Sequence, residues 1–377
     1  MEGKRKIRII NVVGARPNFM KIAPLMKEYK NYPEIKSILV HTGQHYTREM
    51  NDVFFDQLEI PRPDINLEIG SASHAVQTAE IMKRFEPVIL KYKPDVVLVV
   101  GDVNSTLACA LVAAKLGVKV AHVEAGLRSF DRQMPEEINR VLTDAISDYL
   151  FVTERSGLKN LKNEGFPKKK IFFVGNVMVD TLLRNLEQSK SSTILEDLKL
   201  HGKCYTVVTL HRPSNVDDPI VLGALIEVFE KISQELPIIF PAHPRTRKNI
   251  ELFGFMKKIS ETKRRAHPAS DGRLRVIDPI GYLDFLKLMA SAKVVLTDSG
   301  GIQEETTILK VPCLTLRENT ERPITLEIGT NKMVGTDPAR ILAAFHQVSE
   351  NSGRRCRTPD LWDGYASKRI VEILMRN

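Results

Sequence analysis

Residues 96–140, VVLVVGDVNSTLACALVAAKLGVKVAHVEAGLRSFDRQMPEEINR, decide the fold. Val96 to Val100 is a continuous apolar run, as expected of a parallel strand covered on both faces. The turn from Gly101 to Thr106 leads into a helix predicted over Thr106 to Leu116, whose apolar residues are small enough to lie close on a sheet. Val118 to Val123 predicts the next strand, with Glu124 at its end. Ligands of such sheets bind beyond the carboxyl ends of the strands. Asp102 and Glu124 therefore project into one crevice, and Glu136-Glu137 opens the following helix nearby. Converging carboxylates repel one another unless ligand chemistry needs them, so this stretch predicts a site.

Outward from it, the pattern repeats. Lys6 to Val13 predicts a first strand, Gly14 to Asn18 a turn, and Phe19 to Tyr29 a helix. The turn has one glycine and lacks the GxGxxG dinucleotide fingerprint, so a nicotinamide cofactor is not supported. Arg16 and Lys21 bring cations to a helix start that already favours anions. Ser37 to His41 predicts a strand leaving through Gln44 and His45, and Met50 to Leu58 and Ala75 to Tyr92 predict helices. Tyr149 to Thr153 and Ile171 to Val174 predict further strands, with a helix from Arg155 to Glu164 between them. Alternating strand and helix argue a doubly wound sheet.

A second series of strands starts at Thr206 and leaves through His211, Ala242-His243, Asp278 to Gly281, and Asp298-Ser299-Gly300-Gly301. Ser299, Gly300 and Gly301 are the strongest phosphate signal, because their N–H groups meet no Cβ obstruction. Glu304 and Glu305 follow one turn on. One of them is expected to serve ribose hydroxyls, and Glu304 reads better as a helix-capping acid. The expected domains are 1–176, a connecting helix and linker at 177–203, a second Rossmann-like domain at 204–360, and a C-terminal helix at 361–377. Two such domains put the ligand in the cleft between them. Carboxylates suit sugar hydroxyls and proton transfer but oppose a diphosphate, so the first half is expected to hold a sugar and the second a nucleotide.

The chain has 377 residues, 43% of them hydrophobic, and no segment as long and apolar as a membrane span. The N-terminus lacks a signal-peptide cleavage pattern. Cys109, Cys204, Cys313 and Cys356 show no CxxC spacing, and Cys109 and Cys313 read as core residues, so a cytoplasmic compartment is expected. The formal charge of +9 comes from scattered basic residues without aromatic interleaving, which argues against nucleic acid. Lys168-Lys169-Lys170 and Lys263-Arg264-Arg265 read as solvated surface.

Seven motifs in order carry a family resemblance: GARPNFMK at 14–21, GDVNSTLA at 101–108, HVEAGLRS at 122–129, MPEEINR at 134–140, HRPSN at 211–215, DSGGIQEE at 298–305 and ENTERP at 318–323. Over nearly its whole length the chain resembles the non-hydrolysing UDP-N-acetylglucosamine 2-epimerases. The resemblance implies two Rossmann-like domains of GT-B type, a C-terminal helix crossing back to the first, a UDP-sugar substrate, a homodimer, and neither metal nor cofactor. It implies elimination of UDP to a 2-acetamidoglucal and re-addition with the C2 proton on the other face. It assigns Asp102, Glu124 and Glu136 to acid–base work, without deciding which deprotonates C2. His211 would serve the diphosphate or the leaving group. Arg16, Lys21, Arg140 and Arg322 would neutralise phosphate or orient the acids. Ser299, Gly300 and Gly301 match a phosphate loop, Glu305 a ribose ligand, the Ile280 backbone and Phe285 ring a uracil pocket, and His243 a position near the nucleotide.

Two departures stand out. Asn18 replaces a Glu of many bacterial members, and Gln44 to Met50 is two residues longer than their QHREM segment, which helps bind a second, activating substrate molecule. Allosteric activation is therefore not carried over, although Gln44 and His45 are present. UDP-2,3-diacetamido-2,3-dideoxyglucuronic acid is the alternative substrate, its carboxylate needing a cation such as Arg128 or Arg132. The same motifs also admit a GT-B glycosyltransferase and a non-catalytic nucleotide-sugar sensor, both less favoured than an epimerase.

Overall fold

The computed structural model describes residues 6–43, 62–200, 204–261, 274–350 and 356–376. The expectations for Gln44, His45, the Met50 to Leu58 helix and the 263–265 cluster lie outside these residues. The chain divides into two units: one runs through Arg184 and resumes at Asp360, and the other runs from Asn185 to Pro359.

The first domain runs β1 (Ile7–Val13), α1 (Arg16–Glu28), β2 (Ile35–His41), β3 (Ile65–Asn66), α2 (His74–Tyr92), β4 (Val96–Val100), α3 (Asn104–Lys115) and β5 (Lys119–Ala125). It continues with α4 (Pro135–Ile146), β6 (Tyr149–Val152), α5 (Arg155–Asn163), β7 (Ile171–Phe173) and the start of α6 (Val177–Ser189). The sheet order is β3-β2-β1-β4-β5-β6-β7, all parallel. The order reverses between β1 and β4, so their carboxyl ends flank the crevice where ligands of such sheets bind. All five residues of β4 are buried, and Val97 and Val99 pack with Phe85 and Ile89 of α2 and Cys109 and Val112 of α3. Ala108, Ala110 and Ala113 let α3 lie close to the sheet.

The second domain runs α7 (Ile194–Asp197), β8 (Thr206–Thr209), α8 (Pro213–Val216), α9 (Pro219–Ser233), β9 (Ile238–Pro241), α10 (Pro244–Leu252), β10 (Ser260–Glu261), β11 (Leu274–Ile277) and α11 (Tyr282–Ala290). Then come β12 (Val294–Thr297), α12 (Gly300–Leu309), β13 (Cys313–Thr315), α13 (Pro323–Glu327), β14 (Asn331–Met333) and α14 (Pro338–Glu350). Its parallel sheet has the order β10-β11-β9-β8-β12-β13-β14, reversing between β8 and β12. Val208, Leu296 and Leu314 pack with Phe229 of α9 and Phe345 of α14. The last helix, α15 (Ala366–Arg376), belongs to the first domain. Trp362 Nε1 donates to Thr153 O at 2.9 Å, and the N–H groups of Ala366 and Ser367 donate to the Asp180 carboxylate.

Three helices start two or three residues earlier than the sequence predicts: α1 at Arg16, α3 at Asn104, and α12 at Gly300, where the helix is expected from Ile302 to Leu309. Apolar periodicity marks where a helix touches the core, whereas a first turn at a strand exit faces outward with unbonded N–H groups. Polar residues and glycine therefore occupy that turn without ending the helix. Among the described residues, no helix is long and apolar enough to cross a membrane.

Candidate active site

In the first domain the acids sit at strand exits and each meets a cation. Glu124 lies where β5 slips register against β6, with φ of +75°. A non-glycine residue in this conformation costs about 1–2 kcal/mol and persists only where its surroundings hold it. Its carboxylate is buried and faces Lys21 Nζ of α1 at 2.6 Å. Gly101 separates this pair from Asp102. Its φ is +70°, and a Cβ there would stand 2.9 Å from Lys21 Nζ and 3.6 Å from Glu124 Oε2.

Asp102 keeps 27% of its side chain exposed and meets Arg140 Nη2 of α4 at 2.6 Å. The same guanidinium reaches Glu137, whose carboxylate also accepts the N–H groups of Ser129 and Phe130. Asn139 Nδ2 donates to the Asp102 carbonyl at 2.9 Å. Of the Glu136-Glu137 pair, then, Glu137 braces the loop while Glu136 is exposed. Crowded acids were expected to repel; buried Lys21 and Arg140 offset that repulsion. Sequence reasoning missed Glu137 as a brace, although Glu137, Arg140 and Asp144 are spaced to share one helix face.

Two further residues contribute. Asn18 Oδ1 accepts from Gly14 N and Ala15 N, and its Nδ2 donates to Val100 O, fastening the β1 exit to the β4 exit. A glutamate, with no donor, could not make the last bond. Arg16 is the first residue of α1, and its side chain lies outside the described set.

In the second domain the exits of β8 and β12 meet. Asp298 is wholly buried and accepts from the backbone of His211 and Arg212 and from Asn215 Nδ2. His211 Nδ1 lies 2.8 Å from Asp298 Oδ1, with 48% of the His211 side chain exposed. Burial pushes the Asp298 carboxyl up, but the His211 hydrogen bond and charge and the backbone donors outweigh it and hold the group below its ordinary value. Sequence reasoning named His211 and missed its partner. The available signal was an acid directly after an apolar strand.

Ser299 precedes α12, and Gly300 and Gly301 form its first turn. A Cβ on Gly300 would lie 2.6 Å from Glu321 Oε1, so a larger residue would make this carboxylate shift. Glu321 also pairs with Arg317 at 2.9 Å. Glu304, expected as a helix-capping acid, is buried against Arg322 Nε at 2.5 Å. Arg322, expected near phosphate or the acids, is therefore engaged inside the domain. Glu305 is buried and accepts from Tyr282 Oη at 3.0 Å. Burial raises its pKa to about 7; the Tyr282 bond opposes that rise and the charge of Glu304 adds to it. His243 caps α10, its Nδ1 accepting from Arg245 N at 3.3 Å. Ile280 lies beyond β11, and Phe285 stands half-buried in the first turns of α11.

A family model described as UDP-N-acetylglucosamine 2-epimerase matches residues 27–375. The chain belongs to the UDP-N-acetylglucosamine 2-epimerase family. It is 47% identical over 373 residues to a UDP-N-acetylglucosamine 2-epimerase homolog of Methanococcus maripaludis, covering 98% of this chain and 99% of the relative. It is 42% identical to UDP-2,3-diacetamido-2,3-dideoxy-D-glucuronate 2-epimerase of Pseudomonas aeruginosa, covering 98% and 100%. The crystal structure of Methanocaldococcus jannaschii UDP-GlcNAc 2-epimerase in complex with UDP-GlcNAc and UDP superposes with a TM-score of 0.88 at 42% identity, covering 98% of this chain and all of that one. The two α/β domains are those of the GT-B-type epimerases.

Proposed function

We propose that this epimerase-family chain interconverts UDP-N-acetylglucosamine and UDP-N-acetylmannosamine without net hydrolysis. The observation that carries the reading is the pair of acids at the β4 and β5 exits, Asp102 and Glu124, each set against its own buried cation. The C2 proton of the sugar has no adjacent carbonyl to acidify it, so inversion needs a leaving group at C1. A carboxylate takes the C2 proton, the C2–H electrons form C1=C2, and the C1–O electrons leave with UDP. Re-addition of UDP to the 2-acetamidoglucal, with a proton delivered to the opposite face of C2, gives the epimer. Two proton-transfer groups and a stabilised diphosphate suffice. No metal or redox cofactor enters the scheme.

Asp102, Glu124 and exposed Glu136 are the proton-transfer candidates, with Lys21 and Arg140 tuning and aiming them. In the second domain the N–H groups of Ser299, Gly300 and Gly301 would receive the diphosphate, with Arg16 as a further cation. His211, oriented by Asp298, would protonate or hydrogen-bond the departing oxygen. Glu305 would bind ribose hydroxyls, Ile280 and Phe285 the uracil, with His243 near the nucleotide. A homodimer and a cytoplasmic location belong to the same reading.

The diacetamido-uronate is the second reading, favoured by the Pseudomonas aeruginosa relative. It loses one of its two supports here. Arg128 is buried and held by Asp144 at 2.7 Å and by both oxygens of Glu164, so it is not free to read a sugar carboxylate; Arg132 is exposed. Incubation of the protein with each UDP-sugar in D2O tests both readings. Deuterium at C2 with the manno epimer is the expected outcome for UDP-N-acetylglucosamine. Free UDP with an unlabelled C2 would instead indicate transfer or hydrolysis.

A further inference from the structure

His122, wholly buried in β5, serves none of the roles assigned above, yet both its ring nitrogens are engaged. Nε2 lies 2.8 Å from the carbonyl oxygen of Gly101, and Nδ1 lies 2.7 Å from Asp144 Oδ1. A carbonyl oxygen can only accept, so Nε2 carries a proton. The other Asp144 oxygen receives the Gly126 N–H at 3.0 Å and Arg128 Nη1 at 2.7 Å. An oxygen pair so surrounded by donors is an ionised carboxylate, which also only accepts, so Nδ1 carries a proton too. We infer that His122 is an imidazolium that acts, with Asp144, as a positioning residue for both Glu124 and Asp102.

The charge pattern supports this. His122, Asp144, Arg128 and Glu164 form a chain of alternating sign that sums to zero once the ring is charged. With a neutral ring one buried acceptor, on Asp144 or Gly101, would face a ring lone pair, an expensive arrangement, whereas Glu164 at the outer end of the chain is exposed to solvent. Burial pushes the Asp144 carboxyl up, but His122 and Arg128 outweigh it and hold the group below its ordinary value.

The consequence for the site is geometric. Asp144 grips the His122 ring and the Gly126 N–H, the residues two before and two after Glu124. It thus pins both flanks of the left-handed kink that aims that carboxylate. The second ring nitrogen pins the Gly101 carbonyl, one residue before Asp102. A core histidine kept only for packing would not require one bond to a buried carboxylate and a second to the carbonyl at an acid-bearing strand exit.

This inference deepens the proposed epimerase reading and rests on it for the word positioning. The charge state is tested without any substrate. In protein labelled with 15N-histidine, one ring, identified by its loss in His122→Gln, should show protons on both nitrogens at neutral pH. A folded wild-type protein in which no histidine ring carries two protons overturns the inference, whether or not the variant folds. For positioning, His122→Gln and Asp144→Asn should each lower the rate of C2 deuterium exchange about 100-fold, the scale of a 1 Å misplacement. UDP affinity, read in the second domain, should stay within about two-fold on the same grounds. Equal losses of exchange and UDP binding would show general unfolding and overturn the positioning role. A wild-type protein that exchanges no C2 proton but shows the doubly protonated ring would sink the proposed reaction and leave the charge assignment standing.

Discussion

The carboxylate of Asp298 fixes the tautomer of His211. Its Oδ1 faces Nδ1 at 2.8 Å from a wholly buried position, so the Nδ1 proton points inward and Nε2 is left toward solvent. Asp298→Asn should put an amide among N–H donors that want an acceptor and lower turnover about 100-fold. Initial rates of C2 labelling check this. The sign of the acid response follows from the depressed carboxyls. Asp298 and Asp144 bind their protons less readily when folded. Their contribution is therefore fully present above the ordinary carboxylate range, about pH 4, and is lost as pH falls through their folded values. Urea midpoints across that acid range should drop less steeply in Asp298→Asn than in the parent protein.

Lys21 and Glu124 are both buried and 2.6 Å apart. Lys21→Met takes away the ammonium this carboxylate faces and should destabilise the first domain by about 3 kcal/mol. Lys21→Met combined with Glu124→Gln should regain most of that loss in urea denaturation while remaining inactive. A double variant no more stable than Lys21→Met would mean that the pair is not coupled.

The backbone of Glu124 makes a separate forecast. Both Glu124→Gly and Glu124→Ala remove the carboxylate, so their difference isolates φ of +75°. The glycine variant should be the more stable by about 1 kcal/mol, read from thermal or urea midpoints. A glycine variant less stable than the alanine one by the ordinary entropy cost of glycine, about 0.5–1 kcal/mol, would mean that the left-handed kink stores no strain.

Glu305 behaves oppositely to Asp298. Its pKa is raised to about 7, so between the ordinary value and pH 7 the folded protein holds a proton that the unfolded chain has lost. Stability therefore falls as pH rises through that window, by up to about 3 kcal/mol. Glu305→Gln should be more stable than the parent at pH 8 and no more stable at pH 5. A difference independent of pH would remove burial of the charge as its cause.

Much of this was legible in the chain. The apolar run at Val96 and the repeating strand–helix rhythm gave two doubly wound sheets, and strand ends located Asp102, Glu124 and Ser299 because parallel sheets align their carboxyl edges. What stayed hidden was pairing between segments distant in sequence. Nothing at Lys21 says that it meets Glu124, 103 residues on, or at Arg322 that it turns inward to Glu304. Side-chain direction was equally silent. Glu136 and Glu137 are chemically identical neighbours, and helical rotation alone sends one to solvent and the other to Arg140.

The stitching of Trp362, Ala366 and Ser367 to Thr153 and Asp180 makes the first domain discontinuous. On the ribosome, the first domain must wait, with its α15 seat open, until the entire second domain has been synthesised. Domains tend to fold as units as they emerge, so the part translated first becomes the part sealed last.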